Sequence, residues 1–320
     1  MNFKGFVLLF FTIFLSISCS IENDSSNKVS WSISEGVEYP EGGKLSRAED
    51  GVILADGTLI VADQRHGLSV IDQSGNVTPF GDFEALGYEH NPPKIESGPN
   101  GVHLTPDKQH VITADVFNGK IYKTSIENNS TEIIYAHNYG ANTAREDSTG
   151  SLWFTQSTEN QNEERLFGAL DKAIPDGALY RLSFSEDGFA SKPELVIDNL
   201  YFANGFYIDE GKNKLYLSEM MKNRVLVFDL DVSTGSLSNQ TTLAIMPTPD
   251  NMELNSEGDL WVASPLSNQI LSIDVESGAV TVVFDAQTDI GFESMKTGIE
   301  RIENGDCLLY TSPSPRDKRL

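Results

Sequence analysis

Short hydrophobic segments alternate with turns rich in Gly, Asp and Asn along most of the chain, and one arrangement of them recurs. In residues 249–264 (PDNMELNSEGDLWVAS), a polar turn leads into a short apolar segment, a second turn and a second apolar segment. Gly258 supplies the positive φ that a tight hairpin needs, and the apolar residues after it are typical of a buried strand. The pattern therefore predicts a β-hairpin at this position.

Further segments of the chain match this hairpin. They are residues 49–63, 100–115, 142–156 and 204–219, and a copy that begins at Thr297. Gly57 and Gly150 fall where Gly258 does, and two of the copies carry one extra turn residue. Two more strand-like segments follow each hairpin, and successive copies start roughly 40 to 60 residues apart.

Four strands per unit at this period are typical of a β-propeller blade. Six copies therefore predict an all-β, six-bladed β-propeller over residues 31–306, with the sixth blade truncated at the C-terminus. A parallel β-helix would have a shorter period, and two β-sandwiches would not repeat six times. We expect the strand around Trp31 to complete the last blade, because ring closure removes exposed sheet edges.

Residues 1–18 have the features of a lipoprotein signal peptide. Lys4 precedes an apolar segment that is too short to span a membrane permanently, and small residues precede Cys19. Cys19 is the predicted lipidation site, with a plain signal peptide as the alternative, and residues 19–30 are polar enough for a flexible tether. We expect a protein anchored by lipid in the bacterial cell envelope, periplasmic or surface-exposed.

Residues 307–317 (CLLYTSPSPRD) equal what one reading frame of a common transposase sequencing adaptor encodes. We therefore interpret residues 307–320 as foreign to the natural protein, whose sixth blade is expected to continue past Asp306. With Cys19 and Cys307 set aside, the sequence predicts neither a disulfide nor a thiolate metal site.

The chain has 47 acidic and 23 basic residues, a net charge of −24. This balance argues against nucleic acid as a partner and against a membrane contact other than the lipid anchor, and it suits a soluble surface that binds cations. We expect a monomer that acts on a small molecule.

Propeller topology predicts where the chemistry lies, because the first strand of each blade lines the central channel and begins at its mouth. The predicted mouth residues are Glu49, Asn100, Asn142, Asn204, Asp250 and Thr297. A second ring, at the ends of the second strands, is formed by Asp63, Asp115, Gln156, Glu219 and Ser264. Oxygen ligands without nitrogen or sulfur suit a hard cation, Ca²⁺ rather than Mg²⁺. The alternative is that the Asn-Gly and Asp-Asn pairs are only turn residues that tolerate a left-handed backbone.

These positions carry a family resemblance. Glu49, Asn142, the sequence ANG around Asn204 before LYLSE, and PDN at Asp250-Asn251 before LWVAS resemble the gluconolactonase, regucalcin and strictosidine-synthase-like six-bladed propellers. The resemblance covers roughly residues 48–306. It implies a divalent ion, usually calcium, held by Glu49, Asn142, Asn204 and Asp250, and hydrolysis of lactones or esters. Asn251 is similar to the Asn of the Asp-Asn pair at the calcium of the related paraoxonases.

The chain departs from the paraoxonases at Asn100, where those enzymes have a catalytic His. Asn100, Arg145 and His103 are candidate substrate contacts. His103, however, lies three residues into its strand, where packing or a simple hydrogen bond is the alternative. Arg145 has the neighbouring carboxylates Glu146 and Asp147 as alternative partners.

The resulting hypothesis is a calcium-dependent lactonase or esterase in which Asp250 activates water, with Glu219 and Asp115 as alternative bases. A propeller that keeps the ion for structure and only binds or senses a ligand is the alternative, and the fold alone does not separate the two. A strictosidine-synthase-like condensation finds no support in the sequence. Residues 157–178 interrupt the third blade and predict either a lid, with Leu166, Phe167 and Leu170 toward the substrate, or a surface excursion.

Overall fold

The computed structural model describes residues 31–32, 40, 44–159, 163–188 and 190–285. Within these ranges the chain forms five β-sheets, each containing four antiparallel strands that are consecutive in sequence, and the fifth sheet has one further, parallel strand at its edge. The arrangement confirms an all-β propeller, with one sheet per blade. The predicted sixth blade, which begins at Thr297, lies outside the described residues.

The strands of the first two blades come from the N-terminal third of the chain. They are β2 (Gly51–Ile53), β3 (Leu59–Asp63), β4 (Gly67–Ile71) and β5 (Val77–Phe80), followed by β6 (Pro99–Leu104), β7 (His110–Asp115), β8 (Lys120–Ser125) and β9 (Thr131–Ala136). A short 3-10 helix, Glu84–Leu86, lies between these two blades in sequence.

Blades three to five follow the same order. Their strands are β10 (Ala144–Glu146), β11 (Leu152–Gln156), β12 (Gly177–Leu182) and β13 (Glu194–Leu200); β14 (Ala203–Asp209), β15 (Lys214–Glu219), β16 (Arg224–Asp231) and β17 (Ser236–Ile245); and β18 (Met252–Leu254), β19 (Leu260–Ser264), β20 (Gln269–Ile273) and β21 (Val280–Asp285). Helix α1 (Glu163–Asp171) and the 3-10 helices Met220–Lys222 and Pro265–Ser267 complete the described elements.

The strand around Trp31 lies elsewhere than expected. β1 (Trp31–Ser32) pairs in parallel with β21, Trp31 opposite Phe284, and so becomes the outer edge of the fifth sheet. The expectation that it completes a sixth blade is wrong for this structure, because the backbone groups that it pairs with belong to blade five.

The predicted hairpin turns are confirmed at the three glycines. Gly57, Gly150 and Gly258 have φ angles of 87°, 79° and 90°, a region that L side chains rarely adopt. The two copies with an extra turn residue use Lys108 and Asn213 instead, at φ 58° and 52°. In these two longer turns, a non-glycine residue therefore adopts the left-handed conformation that glycine adopts in the shorter turns.

Hydrophobic clusters between successive sheets hold the blades together. The fully buried Ile60 and Val102 share the cluster between blades one and two, and Trp153 and Phe206 share the one between blades three and four. Comparable clusters join blades two to three and four to five. Because the sheets pack face to face around an axis, the innermost strands of neighbouring blades lie side by side, as β2 does with β6 and β14 with β18.

The one α-helix in the described ranges lies in the predicted interruption of blade three. This helix was not predicted, because its nine residues are too few to show the sustained 3.6-residue hydrophobic periodicity that indicates a helix. Nowhere in the described part of the chain is a helix long and apolar enough to cross a membrane.

Candidate functional site

The predicted mouth residues in blades one to five stand at or near the starts of the innermost strands. Asn100, Asn142 and Asn204 are only 2%, 4% and 3% exposed, and Asp250 directly precedes Asn251 and β18. None of these residues has a positive φ. The alternative interpretation, that they are left-handed turn residues, is therefore wrong: they have ordinary backbone conformations.

The glycines that follow two of these asparagines serve close packing. A Cβ on Gly101 would lie 2.0 Å from the Thr143 hydroxyl oxygen, and one on Gly205 would lie 2.6 Å from the Cα of Asn251. Each Asn-Gly pair therefore brings an inner strand against the backbone of the next blade. This approach sets neighbouring mouth residues side by side.

Hydrogen bonds then fix the mouth residues between blades. Asn100 Nδ2 donates to the backbone oxygen of Asn142 at 3.1 Å and to its Oδ1 at 3.2 Å. The hydroxyl of Thr155 donates to the backbone oxygen of Asn204 at 2.9 Å, and that of Ser218 donates to the backbone oxygen of Asp250 at 2.7 Å. Sequence analysis missed both hydroxyls; their only signal is a position just before the last residue of the second strand in their blades.

Four oxygens of the predicted metal ligands are buried and lack a hydrogen-bond partner. They are Glu49 Oε2, Asn204 Oδ1, Asp250 Oδ1 and Asn251 Oδ1. The fifth predicted ligand differs, since Asn142 Oδ1 accepts the hydrogen bond from Asn100. Buried acceptors without donors are unfavourable by about 1–3 kcal/mol each, so their concentration at one place calls for an electropositive partner.

The two carboxylates of this group influence each other. Burial raises the pKa of Asp250 well above its ordinary range, and the nearby carboxylates of Glu49 and Asp50 raise it further. Like charges held this close disfavour ionisation unless a cation lies between them.

These residues fit a hard cation. Carboxylate and amide oxygens are the donors that calcium prefers, and the group offers two carboxylates and amide oxygens but no nitrogen or sulfur ligand. No cluster of three or more His, Cys, Asp or Glu side chains suited to a metal occurs in the described ranges. Any ion at the mouth would therefore depend on the asparagines as much as on Glu49 and Asp250.

The carboxylates of the second ring hold loops. Asp115 Oδ1 accepts the backbone N–H groups of Gly98, Phe117 and Asn118, each at 3.0 Å. Glu219 accepts the backbone N–H of Tyr201 and, at 2.6 Å, Nε of Arg224. Their hydrogen-bonding capacity is used within the fold, and we therefore do not assign either carboxylate a part in the reaction.

Arg145 is bound inside the channel. It donates to the backbone oxygen of Met252 at 3.0 Å and to the Glu253 carboxylate at 2.6 Å, and its guanidinium lies 5.1 Å from the ring centre of Tyr207. These partners come from blades four and five. The alternative partners Glu146 and Asp147 are wrong, because Glu146 pairs with Lys123 and Asp147 with Arg181.

His103 is 6% exposed and shares a 2.7 Å hydrogen bond with the Thr143 hydroxyl. Burial, and then the charge of Arg145, lower the pKa of His103 well below its usual value. A neutral, hydrogen-bonded ring agrees with the alternative interpretation of His103 as a packing residue.

Sequence analysis missed two charged residues near the mouth, Arg47 and Asp50. Asp50 accepts the backbone N–H of Gly51 at 2.8 Å and that of Val102 at 3.0 Å, and its Oδ2 lies 3.7 Å from His103 Nε2. Burial raises the pKa of Asp50 to about 7. Its only sequence signal is its place directly after Glu49. Arg47 has no motif at all.

Helix α1 covers residues next to the mouth. Leu166 and Ala169 are each 3% exposed and pack with Phe117 and Met220, and Leu170 packs against the same cluster. Met220 in turn lies 3.5 Å from Nδ2 of the mouth residue Asn204. The third predicted lid contact, the Phe167 side chain, lies outside what the structure describes. The helix is therefore an apolar cover beside the candidate site.

Comparisons with known proteins agree with this geometry. The family profile "SMP-30/Gluconolactonase/LRE-like region" matches residues 135–290. Regucalcin of Danio rerio is 33% identical over 113 residues, which are 33% of this chain and 35% of that protein. The matches to this and other curated relatives span between 28% and 40% of the length of those proteins.

Solved structures show the same fold. A gluconolactonase from Xanthomonas campestris aligns with a TM-score of 0.57 at 17% identity, over 77% of this chain and 78% of that one. A regucalcin from Agrobacterium tumefaciens, described as a calcium-binding protein, aligns with a TM-score of 0.54 at 13% identity, over 76% and 75%. Three mouth residues, Asn142, Asn204 and Asp250, lie inside the matched region. Residues 135–290, just under half of the chain, are therefore similar to the SMP-30/gluconolactonase/LRE-like family, and the solved structures show the β-propeller fold.

Proposed function

We propose that this protein is a calcium-dependent hydrolase of lactones or esters, with its site at the mouth of a six-bladed propeller. The observation that carries the proposal is the group of buried, unpartnered oxygens on Glu49, Asn204, Asp250 and Asn251. The similarity of residues 135–290 to the SMP-30/gluconolactonase/LRE-like family, together with the fold shared with a solved gluconolactonase, supports the lactonase class.

In this proposal Glu49, Asn204, Asp250 and Asn251 hold the ion, with Asn142 beside them. A bound calcium ion supplies electrostatic stabilisation for the negative charge that develops on the substrate carbonyl. The protein's own contribution is to keep these oxygens in place. Ser218 and Thr155 do so by binding the backbone oxygens of Asp250 and Asn204.

Asp250 is the proposed base. The oxygen of a water molecule bonds to the carbonyl carbon while its proton passes to the Asp250 carboxylate; the ester C–O bond then breaks, and the proton goes to the departing oxygen. The product is a hydroxy acid from a lactone, or an acid and an alcohol from an ester. Asp250 suits this role because its buried Oδ1 has no hydrogen-bond partner within the fold, whereas Asp115 and Glu219 accept several donors.

A non-catalytic binding protein is the second candidate, and one observation favours it. Apart from Asp250, the predicted bases are engaged, Asp115 and Glu219 by backbone and side-chain donors, and the candidate substrate contact His103 is engaged by Thr143. If Asp250 serves only as a ligand of the ion, no described group of the predicted set remains to activate water.

A panel of sugar lactones, homoserine lactones and aryl esters, assayed with calcium and with EDTA, tests the hydrolase. We expect hydrolysis of at least one class with calcium and its loss in EDTA. Calcium binding measured by calorimetry without any turnover would instead support the binding protein. Asp250→Asn should retain calcium binding in part and lose turnover, while Asn204→Ala should weaken calcium binding.

We further propose that the protein acts as a monomer in the bacterial cell envelope, anchored through Cys19. The support is the signal-like sequence of residues 1–18, which lies outside the described residues.

A further inference from the structure

Arg47 places a rigid positive charge at the edge of the mouth. Its side chain is 9% exposed. Nη1 donates to the backbone oxygen of Pro99 at 3.1 Å and Nη2 donates to Asn100 Oδ1 at 3.0 Å, while the guanidinium lies 5.2 Å from the ring centre of Phe117. Two fixed hydrogen bonds and an aromatic face leave this side chain little freedom.

The guanidinium still has unused donors. Arg47 Nε is buried without an acceptor, and the Glu49 Oε2 atom, 3.8 Å from Arg47 Nη2, is buried without a donor. That separation is too long for a direct hydrogen bond. Because a buried charged donor without an acceptor is unfavourable, both groups keep capacity for the polar atoms of a ligand.

Charge at the mouth points to the sign of that ligand. Glu49 and Asp250 together balance one divalent cation, so Glu49, which lies 3.8 Å from Arg47, no longer balances the charge of Arg47 when such an ion is bound. The other carboxylates nearby have partners of their own: Asp50 accepts two backbone N–H groups and lies next to His103, and Asp115 accepts three backbone N–H groups. A positive side chain next to a cation site opposes cation binding, and an anionic ligand removes this conflict.

We propose that Arg47 determines specificity at this site and that the preferred substrates are lactones or esters that carry a carboxylate near the reacting carbonyl. This inference rests on the proposed function. A planar guanidinium binds a carboxylate through two parallel N–H···O bonds, which a neutral hydroxymethyl group does not offer. Acidic sugar lactones are the substrate class that joins both features.

Two lactones that differ only at this group test the inference. Glucaro-1,4-lactone carries a carboxylate where glucono-1,4-lactone carries a hydroxymethyl group. With the calcium-loaded full chain we expect a higher kcat/KM for the acidic lactone. Arg47→Gln should lower that value by about 10- to 100-fold and leave the neutral lactone within about threefold. Arg47→Lys should be intermediate, because it keeps the charge but loses the fork.

A matched control is available in the same blade. Arg65 pairs with Asp63 at 3.2 Å and its side chain is 47% exposed, so Arg65→Gln removes the same charge and should leave the lactone preference unchanged. Arg47→Gln should also tighten calcium binding by about threefold or more, through loss of repulsion. A merely structural role for Arg47 predicts weaker calcium binding and equal losses on both lactones, and that result would overturn the inference.

A failure of the proposed hydrolase function can be distinguished from a failure of the inference about Arg47. If neither lactone is hydrolysed, the two are titrated into calcium-loaded wild type and Arg47→Gln by calorimetry. Tighter binding of the acidic lactone that disappears in the variant supports the ligand class without the hydrolase. Equal binding of both lactones by the wild type overturns the inference.

Discussion

In protein kept free of calcium with EDTA, the substitution Asp50→Asn should lower the free energy of unfolding at acidic pH and raise it at pH 8. The carboxyl group of Asp50 has its pKa raised from 3.8 to about 7 by burial. An acid whose pKa is raised by folding binds its proton more tightly in the folded state. The stability that it contributes is therefore present below pH 4 and is lost as pH rises through 7. About 3 pKa units at 1.36 kcal/mol each amount to about 4 kcal/mol by pH 8.

Asparagine removes this charge but also an acceptor. Asp50 accepts one backbone N–H on each oxygen, from Gly51 and Val102; the amide oxygen of asparagine can accept only one of them, and its nitrogen leaves the other N–H without an acceptor, at a cost of about 1–3 kcal/mol. At pH 4.5, where wild-type Asp50 is protonated, Asp50→Asn should therefore be less stable than wild type. At pH 8 it should be more stable, by about 1–3 kcal/mol.

Guanidinium unfolding followed by tryptophan fluorescence at pH 4.5, 6 and 8 measures this difference. The lowered pKa of His103 acts in the opposite direction, because the stability that the neutral ring contributes is lost as pH falls below 6.5. Since Asp50 Oδ2 lies only 3.7 Å from His103 Nε2, the comparison at pH 8, where His103 is neutral in both proteins, isolates the contribution of Asp50. Asp187→Asn, in an exposed turn, is the matched control and should give parallel curves. Parallel curves for Asp50→Asn as well would refute the reasoning, because they would mean that the buried carboxylate carries no penalty.

Three further outcomes are expected. Gly205→Ala should destabilise the protein by about 2 kcal/mol or more and weaken calcium binding, because its Cβ would lie 2.6 Å from backbone of Asn251; thermal melting and calorimetry measure both effects. Ser218→Ala should lower kcat with little change in melting temperature, because it removes the hydrogen bond to the backbone oxygen of Asp250; an unchanged kcat would separate that contact from function. Cys19→Ala should move the protein from the membrane fraction to the soluble fraction of expressing cells, and an unchanged distribution would contradict lipidation.

The repeat made most of the described fold predictable. Hairpin turns at Gly57, Gly150 and Gly258 and an inner strand at each mouth residue follow from the alternation of apolar segments and turns, and the described part of the chain has them. The edge position of β1 was not predictable, because a short strand carries no information about which sheet has a free edge. Helix α1 was missed for a related reason: its packing on Phe117 and Met220 is tertiary, while its own sequence is short.

For the candidate site, the sequence predicted which residues lie together more successfully than it predicted the role of each residue. Repeat position alone brought together Glu49, Asn204 and Asp250. Repeat position did not distinguish these residues from the second ring, whose carboxylates lie at equally regular positions. The second-ring carboxylates accept hydrogen bonds from loops, as Asp115 does from three backbone N–H groups. Arg47 was not predicted, because it lies two residues before the first repeat begins and belongs to no motif.

The difference between the two rings suggests how this propeller separates stability from chemistry. Carboxylates of the second ring lie where backbone N–H groups turn toward them, so Asp115 and Glu219 are satisfied by the fold itself. At the mouth the N–H groups of the inner strands are used elsewhere, as when Asp250 donates its own to Ala263 at 2.9 Å. Four side-chain oxygens there, on Glu49, Asn204, Asp250 and Asn251, are buried without a donor, and the hydrophobic clusters between the blades offset this unfavourable burial. A propeller of this kind should therefore gain most of its ligand-induced stability at the inner ring, which is where the proposed ion and the carboxylate bound by Arg47 would both act.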